Sequence, residues 1–192
     1  MIKKLTDVVT RLVQDILVRL QNPTRDLPAT TFRALAYDLR NRSLNGVPLD
    51  ASFSVAAPFG KADWFSGMDD PDLDYRALGL QIGTFQGLVA SFRIIVDPAA
   101  CGDPRERAFR PGALSLSMPG GGQLEISNRT REEDLIAALG APAETGSIVG
   151  AKVHSFVVAG QRIDSYHHPS SGRLRELTIC LSGEATELRR AA

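Results

Sequence analysis

The stretch Thr130-Arg-Glu-Glu-Asp-Leu-Ile-Ala-Ala-Leu-Gly-Ala-Pro142 is the part of the sequence on which the predicted fold depends. Thr130 and Glu133 match a capping box, in which each side chain satisfies the free backbone amide of the other residue. Gly140 suits the left-handed residue that commonly ends a helix, and a proline two residues later prevents continuation. The stretch therefore predicts a short helix with a defined beginning and end.

Alternating patterns around this helix predict antiparallel strands. Residues 153–157 and 163–165 alternate between apolar and polar side chains, as expected for strands with one buried face. The run 174–181 also alternates, with a change of parity near Glu176 that predicts a β-bulge. Residues 113–126 predict a further hairpin, whose turn is the Pro-Gly-Gly-Gly run in their middle.

A fainter copy of the same frame lies earlier in the chain. Residues 53–60 predict a short helix closed by glycine, and residues 75–82 and 86–96 predict two strands. Because a single helix-plus-hairpin unit is too small to bury its apolar face, two such units should pack on each other. The doubled frame favours a binding surface over a single catalytic site.

The beginning of the chain predicts an amphipathic helix. Its apolar residues recur at steps of three and four, charges lie opposite, and Asn22-Pro23 ends the pattern. We expect this helix to pack against the core, with a membrane-surface anchor or a dimerising helix as alternatives. A second helix is predicted after Pro28. Its apolar face would consist of Phe32, Leu35, Ala36 and Leu39, and that of the first helix of Ile2, Leu5, Val9, Leu12, Val13, Ile16, Leu17 and Leu20.

These elements predict an α+β fold of tandem helix-plus-antiparallel-sheet units with an N-terminal amphipathic helix. The expected organisation is N-terminal helices over 1–45, a first unit over 46–98, a connecting loop over 99–112, a second unit over 113–183 and a C-terminal tail over 184–192.

Composition restricts the class of function. The 192 residues are 43% hydrophobic and 23% charged, which is typical of a globular protein. The net charge is zero, so the basic excess that favours nucleic-acid binding is missing, although a local patch stays open. No run approaches the roughly 20 apolar residues of a membrane span, and no secretory signal is evident, so we expect a cytoplasmic protein. For Cys101 and Cys180, two separate thiols are favoured over a disulfide.

The three histidines offer the first candidates for chemistry. His167 and His168 are neighbours in a predicted strand and should point to opposite faces, whereas His154 and His167 are close across a hairpin. Because no nearby cysteine or glutamate completes a zinc-binding set, we expect neither a metal nor another cofactor. The triple glycine lacks the Lys-Ser/Thr of a phosphate-binding loop, and no nucleophile motif is present.

An acidic run beside an aromatic pair is the predicted contact surface. Three of its aspartates have the spacing of a calcium loop, but Tyr75 and Gln81 replace the glycine and the bidentate acid that such loops need. Aromatic side chains beside charges are typical of interaction hot spots. The predicted partner-binding residues are Trp64, Phe65, Asp69, Asp70, Asp72 and Asp74.

The capped helix followed by alternating strands and Leu-x-x-Leu-x-Ile resembles the repeat of beta-lactamase-inhibitory-protein-like domains. It also resembles certain bacterial immunity proteins, clearly over 125–181 and weakly over 46–96. Unlike secreted inhibitors and outer-membrane lipoproteins of similar fold, this chain shows no signal peptide and no lipidation cysteine near its start. The resemblance therefore implies a cytoplasmic immunity protein, which binds a cognate toxin and occludes its active site.

Two other functions stay open at this stage. One is a small hydrolase-like enzyme that uses His154 or the 69–74 aspartate cluster, and the other is a scaffold subunit that assembles through the N-terminal helix. For the immunity hypothesis the expected partner is a protein toxin, a basic one being the form that suits an acidic loop. Neither nucleic acid nor membrane is an expected partner, and the oligomeric state is open.

Overall fold

The computed structural model of the protein describes residues 22–66, 70–101, 104–148 and 150–182. The predicted N-terminal helix, Asp69 and the predicted tail lie outside these ranges, so they stay predictions. Within the described ranges the chain forms thirteen strands in two sheets, a single α-helix and four short 3₁₀ helices. No helix among the described residues has the length and apolarity needed to cross a bilayer.

The larger sheet has eight strands and is antiparallel throughout. Two four-stranded meanders, β4 to β7 and β10 to β13, join through their last strands in the order β10-β11-β12-β13-β7-β6-β5-β4. Tyr166 pairs with Glu176, but His167 pairs with Leu174, so β13 has one extra residue between these pairs. This shift in register confirms the predicted bulge. The strands are β4 (Trp64–Ser66), β5 (Asp72–Tyr75), β6 (Leu80–Phe85), β7 (Leu88–Ile95), β10 (Glu144–Ile148), β11 (Ala151–Val158), β12 (Gln161–His167) and β13 (Leu174–Leu181).

The smaller sheet has five strands in the order β3-β2-β1-β8-β9. The predicted hairpin over 113–126 is confirmed as an antiparallel pair, whereas β1 and β8 pair in parallel. The strands β2 and β3, which are joined by a turn at Asn45-Gly46, form the other end of the smaller sheet. The strands are β1 (Leu35–Asp38), β2 (Ser43–Leu44), β3 (Val47–Pro48), β8 (Leu114–Ser117) and β9 (Gln123–Ile126).

The helix predicted from the opening stretch is confirmed as α1 (Glu132–Leu139), but its cap is shifted by one residue. The carboxylate of Asp134, not Glu133, accepts the backbone N–H of Arg131 at 2.8 Å. The Thr130 hydroxyl instead accepts the Ser127 N–H and lies within hydrogen-bond distance of the Glu125 carbonyl. The cap therefore combines a first-turn carboxylate with a turn that the threonine closes.

The main apolar core lies between the inner faces of the two sheets and includes Leu135 of α1, and a second, smaller cluster consists of Ile95, Cys101 and Phe109. Tyr37 of β1 links the two sheets: its ring packs edge-on against Phe92 of β7 at 5.9 Å, and its hydroxyl bonds to the Gln161 side chain of β12. Gln161 also donates to the Leu39 carbonyl at 2.7 Å. Burial of Tyr37 raises its pKa, so the hydroxyl stays protonated and able to donate.

The predicted α+β fold of tandem helix-plus-sheet units is wrong, because the described chain is mostly β. The short helix predicted over 53–60 is present, but as a seven-residue 3₁₀ helix, Phe53–Phe59, which contains Pro58 and ends at Gly60. The helix predicted after Pro28 is also wrong, since Leu35–Asp38 forms β1 against β8. Leu35, Tyr37 and Leu39 are buried at alternate positions, and pairing with β8 selects this two-residue period over the helical one.

Candidate functional site

A row of mostly polar side chains crosses the outer face of the eight-stranded sheet, with one residue from each strand. The register pairs each member directly with the next, so the side chains lie side by side on one face. The opposite face of the same strands belongs to the core. From β4 to β10 this polar row consists of Trp64, Asp74, Gln81, Arg93, Thr178, Asp164, Ser155 and Glu144.

Trp64 forms one end of the polar row, on the edge strand β4. The Arg105 guanidinium lies over its indole ring, 5.7 Å from the ring centroid, in cation–π geometry. Phe65 is 4% exposed and points into the core, because neighbouring residues of a strand face opposite sides. The predicted aromatic pair therefore separates into one surface residue and one core residue.

Asp72 and Asp74 lie two residues apart on β5, so both side chains reach the outer face. Burial raises the pKa of both carboxyls, and their hydrogen bonds and nearby arginines offset this only in part. Asp74 accepts a 3.0 Å hydrogen bond from Gln81 and lies 3.7 Å from Arg76. Among the described residues, no ion pair includes Asp72, whose carboxylate lies over Gly83.

Arg93 holds two carboxylates together at the middle of the row. Its Nη2 contacts Glu176 of β13 and lies 2.5 Å from Glu106 of the 97–112 loop. Burial alone would lower the Arg93 pKa, but the charges and hydrogen bonds of Glu176 and Glu106 outweigh it and raise the pKa. The loop is thereby fastened across the outer face of the sheet.

Cys101 completes a group whose potential ligand atoms lie within 4.8 Å of one another: Cys101, Glu106 and Glu176. Arg93 already supplies the cation between the two glutamates. Burial raises the Cys101 pKa to about 12, so the sulfur stays a neutral thiol, and it lies 3.4 Å from the Asp97 carbonyl. A metal would have to displace the arginine, so the group favours a structural role. Both described cysteines are buried thiols outside any disulfide, as predicted.

Arg162 organises the opposite end of the row. Its guanidinium bonds to Asp164 at 2.9 Å and to Glu144 at 3.0 Å, and Ser155 donates to Asp164 at 2.5 Å. Asp164 is buried, so the arginine and serine satisfy a carboxylate that water does not reach. These contacts connect β10, β11 and β12 on the outer face.

A second cluster lies on the inner face, between β11, β12 and α1. The rings of His154 and His167 meet edge-on at 5.5 Å, as the hairpin argument predicted, while His168 lies 3.0 Å from Asp97. His167 bonds to the Gly172 carbonyl and to Ser165, and burial lowers its pKa. His154 Nε2 is 3.1 Å from a Glu132 oxygen, but neither ring nitrogen makes a hydrogen bond.

The structure brings together only part of the predicted site. Trp64, Asp72 and Asp74 share the outer face, whereas Asp70 lies before β5 and accepts the Gln86 backbone N–H at 2.5 Å. Sequence reasoning missed the arginines of this face. Arg93 carried one usable signal, because it is the only charge in an apolar run over 88–96, where an isolated charge indicates a buried partner.

No protein-family model and no curated protein matches this chain. Among solved structures, a DUF4309 family protein from Bacillus subtilis is similar with a TM-score of 0.44 and 10% identity, over 71% of this chain and 83% of that one. A cysteine-rich secretory protein from Staphylococcus aureus is similar with a TM-score of 0.41 and 13% identity, over 82% of this chain and 53% of that one. Neither value assigns a family or a function to this chain.

Proposed function

We propose that this chain is a non-enzymatic binding protein whose contact surface is the Trp64 end of the polar row. The observation that supports this most directly is Asp72, a half-buried carboxylate on the outer face that lies over Gly83, has Ser66 as a hydrogen-bond partner and belongs to no ion pair among the described residues. Such a group is stabilised when a partner supplies a lysine or arginine. Trp64 beside it offers the amphipathic ring that anchors many interfaces.

The geometry favours a fixed surface over a flexible one. Trp64, Asp72 and Asp74 stand on paired strands, and the Arg93 ion pairs fasten the neighbouring loop. A partner that docks here meets side chains already held in place, which lowers the entropy cost of binding. In its specific form, the proposal is that the partner is a protein toxin in the cytoplasm and that docking covers its active site.

Catalysis through His154 is disfavoured by its position. The residue is 3% exposed, and Glu132 of α1 lies against it from the core side of the sheet. A general base must come within hydrogen-bond reach of the substrate, and this imidazole is enclosed. Of the proposed aspartate cluster, Asp74 is similarly buried and engaged by Gln81, while Asp69 lies outside the described residues.

The test is affinity capture with immobilised wild-type protein, Trp64→Ala and Asp72→Asn, followed by identification of proteins that only the wild type retains. Truncating a tryptophan anchor should cost about 2 kcal/mol or more, which weakens affinity roughly thirtyfold. Asp26→Asn is the matched control, because Asp26 is exposed and its described ion pair is with the neighbouring Arg25.

A second step tests the toxin form of the proposal. The captured protein is expressed in bacteria with and without this chain, and growth is followed. Rescue by the wild type and by Asp26→Asn, but not by Trp64→Ala, supports neutralisation at this surface. Capture without growth rescue limits the proposal to binding, and equal capture by all variants rejects the surface itself.

A further inference from the structure

Among the described residues, β10 forms the far edge of the eight-stranded sheet. All five residues of β10 are exposed, and within the described chain β10 pairs only with β11. An edge strand turns the backbone N–H and C=O groups of alternate residues outward, where another strand can pair with them. Glu144–Ile148 therefore presents a row of backbone groups that no other described strand pairs with.

The other described sheet edges are less suited to pairing. In the same sheet, β4 has only three residues, and in the smaller sheet β3 has two, one of them a proline. β9 has four residues, among them Gln123 and Glu125. β10 carries one charge, Glu144, but it is the longest of these edges, contains neither proline nor lysine and has an unbroken five-residue register with β11.

One exposed apolar side chain also lies on this edge. Ile148 on β10 is 48% exposed and faces the outer side of the sheet, whereas Val157, which is 60% exposed, lies six residues along β11 from the partner of Ile148. An apolar side chain beside free backbone groups is typical of a surface that another strand covers. Arg162 holds Glu144 in place on the same face, so the edge is ordered before any partner arrives.

We propose that β10 pairs with β10 of a second copy of this chain, antiparallel about a twofold axis at Gly146. In this register the backbone groups that face away from β11 lie opposite the same kind of groups of the second copy. This follows because residues at equal distances from Gly146 turn their backbone groups to the same side of the strand. Thr145 then lies opposite Ser147 of the second copy, a pairing that favours hydrogen bonding, and glycine lies opposite glycine. Glu144, the only charged residue of the strand, lies opposite Ile148 and not opposite its own copy.

A second copy is favoured because this register sets no like charges opposite each other and pairs Thr145 with Ser147. In the resulting dimer the two eight-stranded sheets form one continuous sheet, and the Trp64 ends stay free because they lie on the opposite edges. The proposal is independent of the partner proposed for that surface. A five-residue edge makes a small interface, so association is expected between about 10 µM and about 1 mM.

Gly146 allows a test that leaves the monomer intact. A Cβ atom at this position meets no atom within 4 Å, and its backbone is not in the left-handed region. Gly146→Glu and Gly146→Lys should therefore fold normally, while each places two like charges face to face at the twofold axis. Gly120→Glu is the matched control, since Gly120 has equally open surroundings and an ordinary backbone.

Sedimentation equilibrium should show that the wild type and Gly120→Glu dimerise alike. Gly146→Glu, whose new carboxylate faces its own copy and the Glu144 side chains on the same face, should dimerise about fivefold more weakly, and an equimolar mixture with Gly146→Lys should recover association. A wild type that stays monomeric to about 1 mM overturns the proposal, as does a mixture no tighter than Gly146→Glu alone.

Hydrogen exchange gives a second readout that needs no variant. Within residues 144–148, the amides that face away from β11 should exchange more slowly as the wild-type concentration rises, while amides of β4 should not change. Slower exchange at β4 but not at β10 would place the contact at the other edge and contradict the proposal. Protection that is lost in Gly146→Glu and kept in Gly120→Glu supports it.

Discussion

Replacing Arg93 with methionine tests whether electrostatics hold the 97–112 loop on the sheet. Methionine keeps much of the aliphatic volume but leaves Glu106 and Glu176 without their shared cation, with oxygens within 4.8 Å of each other. Two unit charges at that separation repel by about 3.5 kcal/mol at an effective dielectric constant of about 20. The two side chains are partly exposed, 24% for Arg93 and 12% for Glu176, so solvent screens this repulsion. The expected loss in the free energy of unfolding is about 2 kcal/mol.

The assay is urea unfolding at neutral pH and near pH 4.5, with equal slopes as the check on two-state behaviour. Acid neutralises the two carboxylates and so removes their repulsion in the folded variant. Its stability deficit relative to the wild type should therefore shrink as the pH falls. The control adds Glu106→Gln and Glu176→Gln, which removes the repulsion and should recover most of the loss. A single variant that loses less than about 0.5 kcal/mol, or a triple variant no more stable than the single one, refutes the reasoning.

Two further predictions concern buried groups. Burial lowers the pKa of His167 in the folded state, and the nearby His154 lowers it further. The unfolded chain therefore binds the proton more readily, so the free energy of unfolding should fall as the pH drops through 6.5. Unfolding curves between about pH 8 and pH 5 should show a shallower fall in His167→Gln; an identical fall would assign it to other groups. Gly79→Ala should cost about 3 kcal/mol or more, because φ is +65° and the added Cβ would lie 2.4 Å from the Gly112 backbone. Gly121→Ala, at φ +89° in open space, should lose only about 1 kcal/mol by thermal unfolding, and equal losses would contradict the packing argument.

Elements defined by neighbouring residues could be predicted from the sequence. The 113–126 hairpin, strands β11 and β13 and the bulge before Glu176 follow from alternation and turn residues, and each is confirmed. The stretch over 35–39 could not be assigned in this way, because its apolar spacing fits a helix and a strand equally well. The deciding contact is parallel pairing with β8, which lies about 80 residues further along the chain.

The candidate site depends even more on distant contacts. Arg93 meets Glu106 and Glu176 at sequence separations of 13 and 83 residues, so no local motif records the group. The sequence was sufficient to predict that Trp64 and Phe65 face opposite sides of the sheet, since adjacent residues of a strand do so. What could not be foreseen was that Asp72 and Asp74 occupy a half-buried strand and not a solvated loop.

The junction of β7 with β13 has a consequence for how the chain folds during synthesis. The meander from β4 to β7 is complete long before β13 leaves the ribosome, and contacts such as Arg93 with Glu176 close a loop of 83 residues. At typical translation rates of about 5–20 residues per second, the unpaired side of β7 waits for several seconds. The strand is largely apolar, so this interval is when the nascent chain is most exposed to aggregation and most dependent on chaperones.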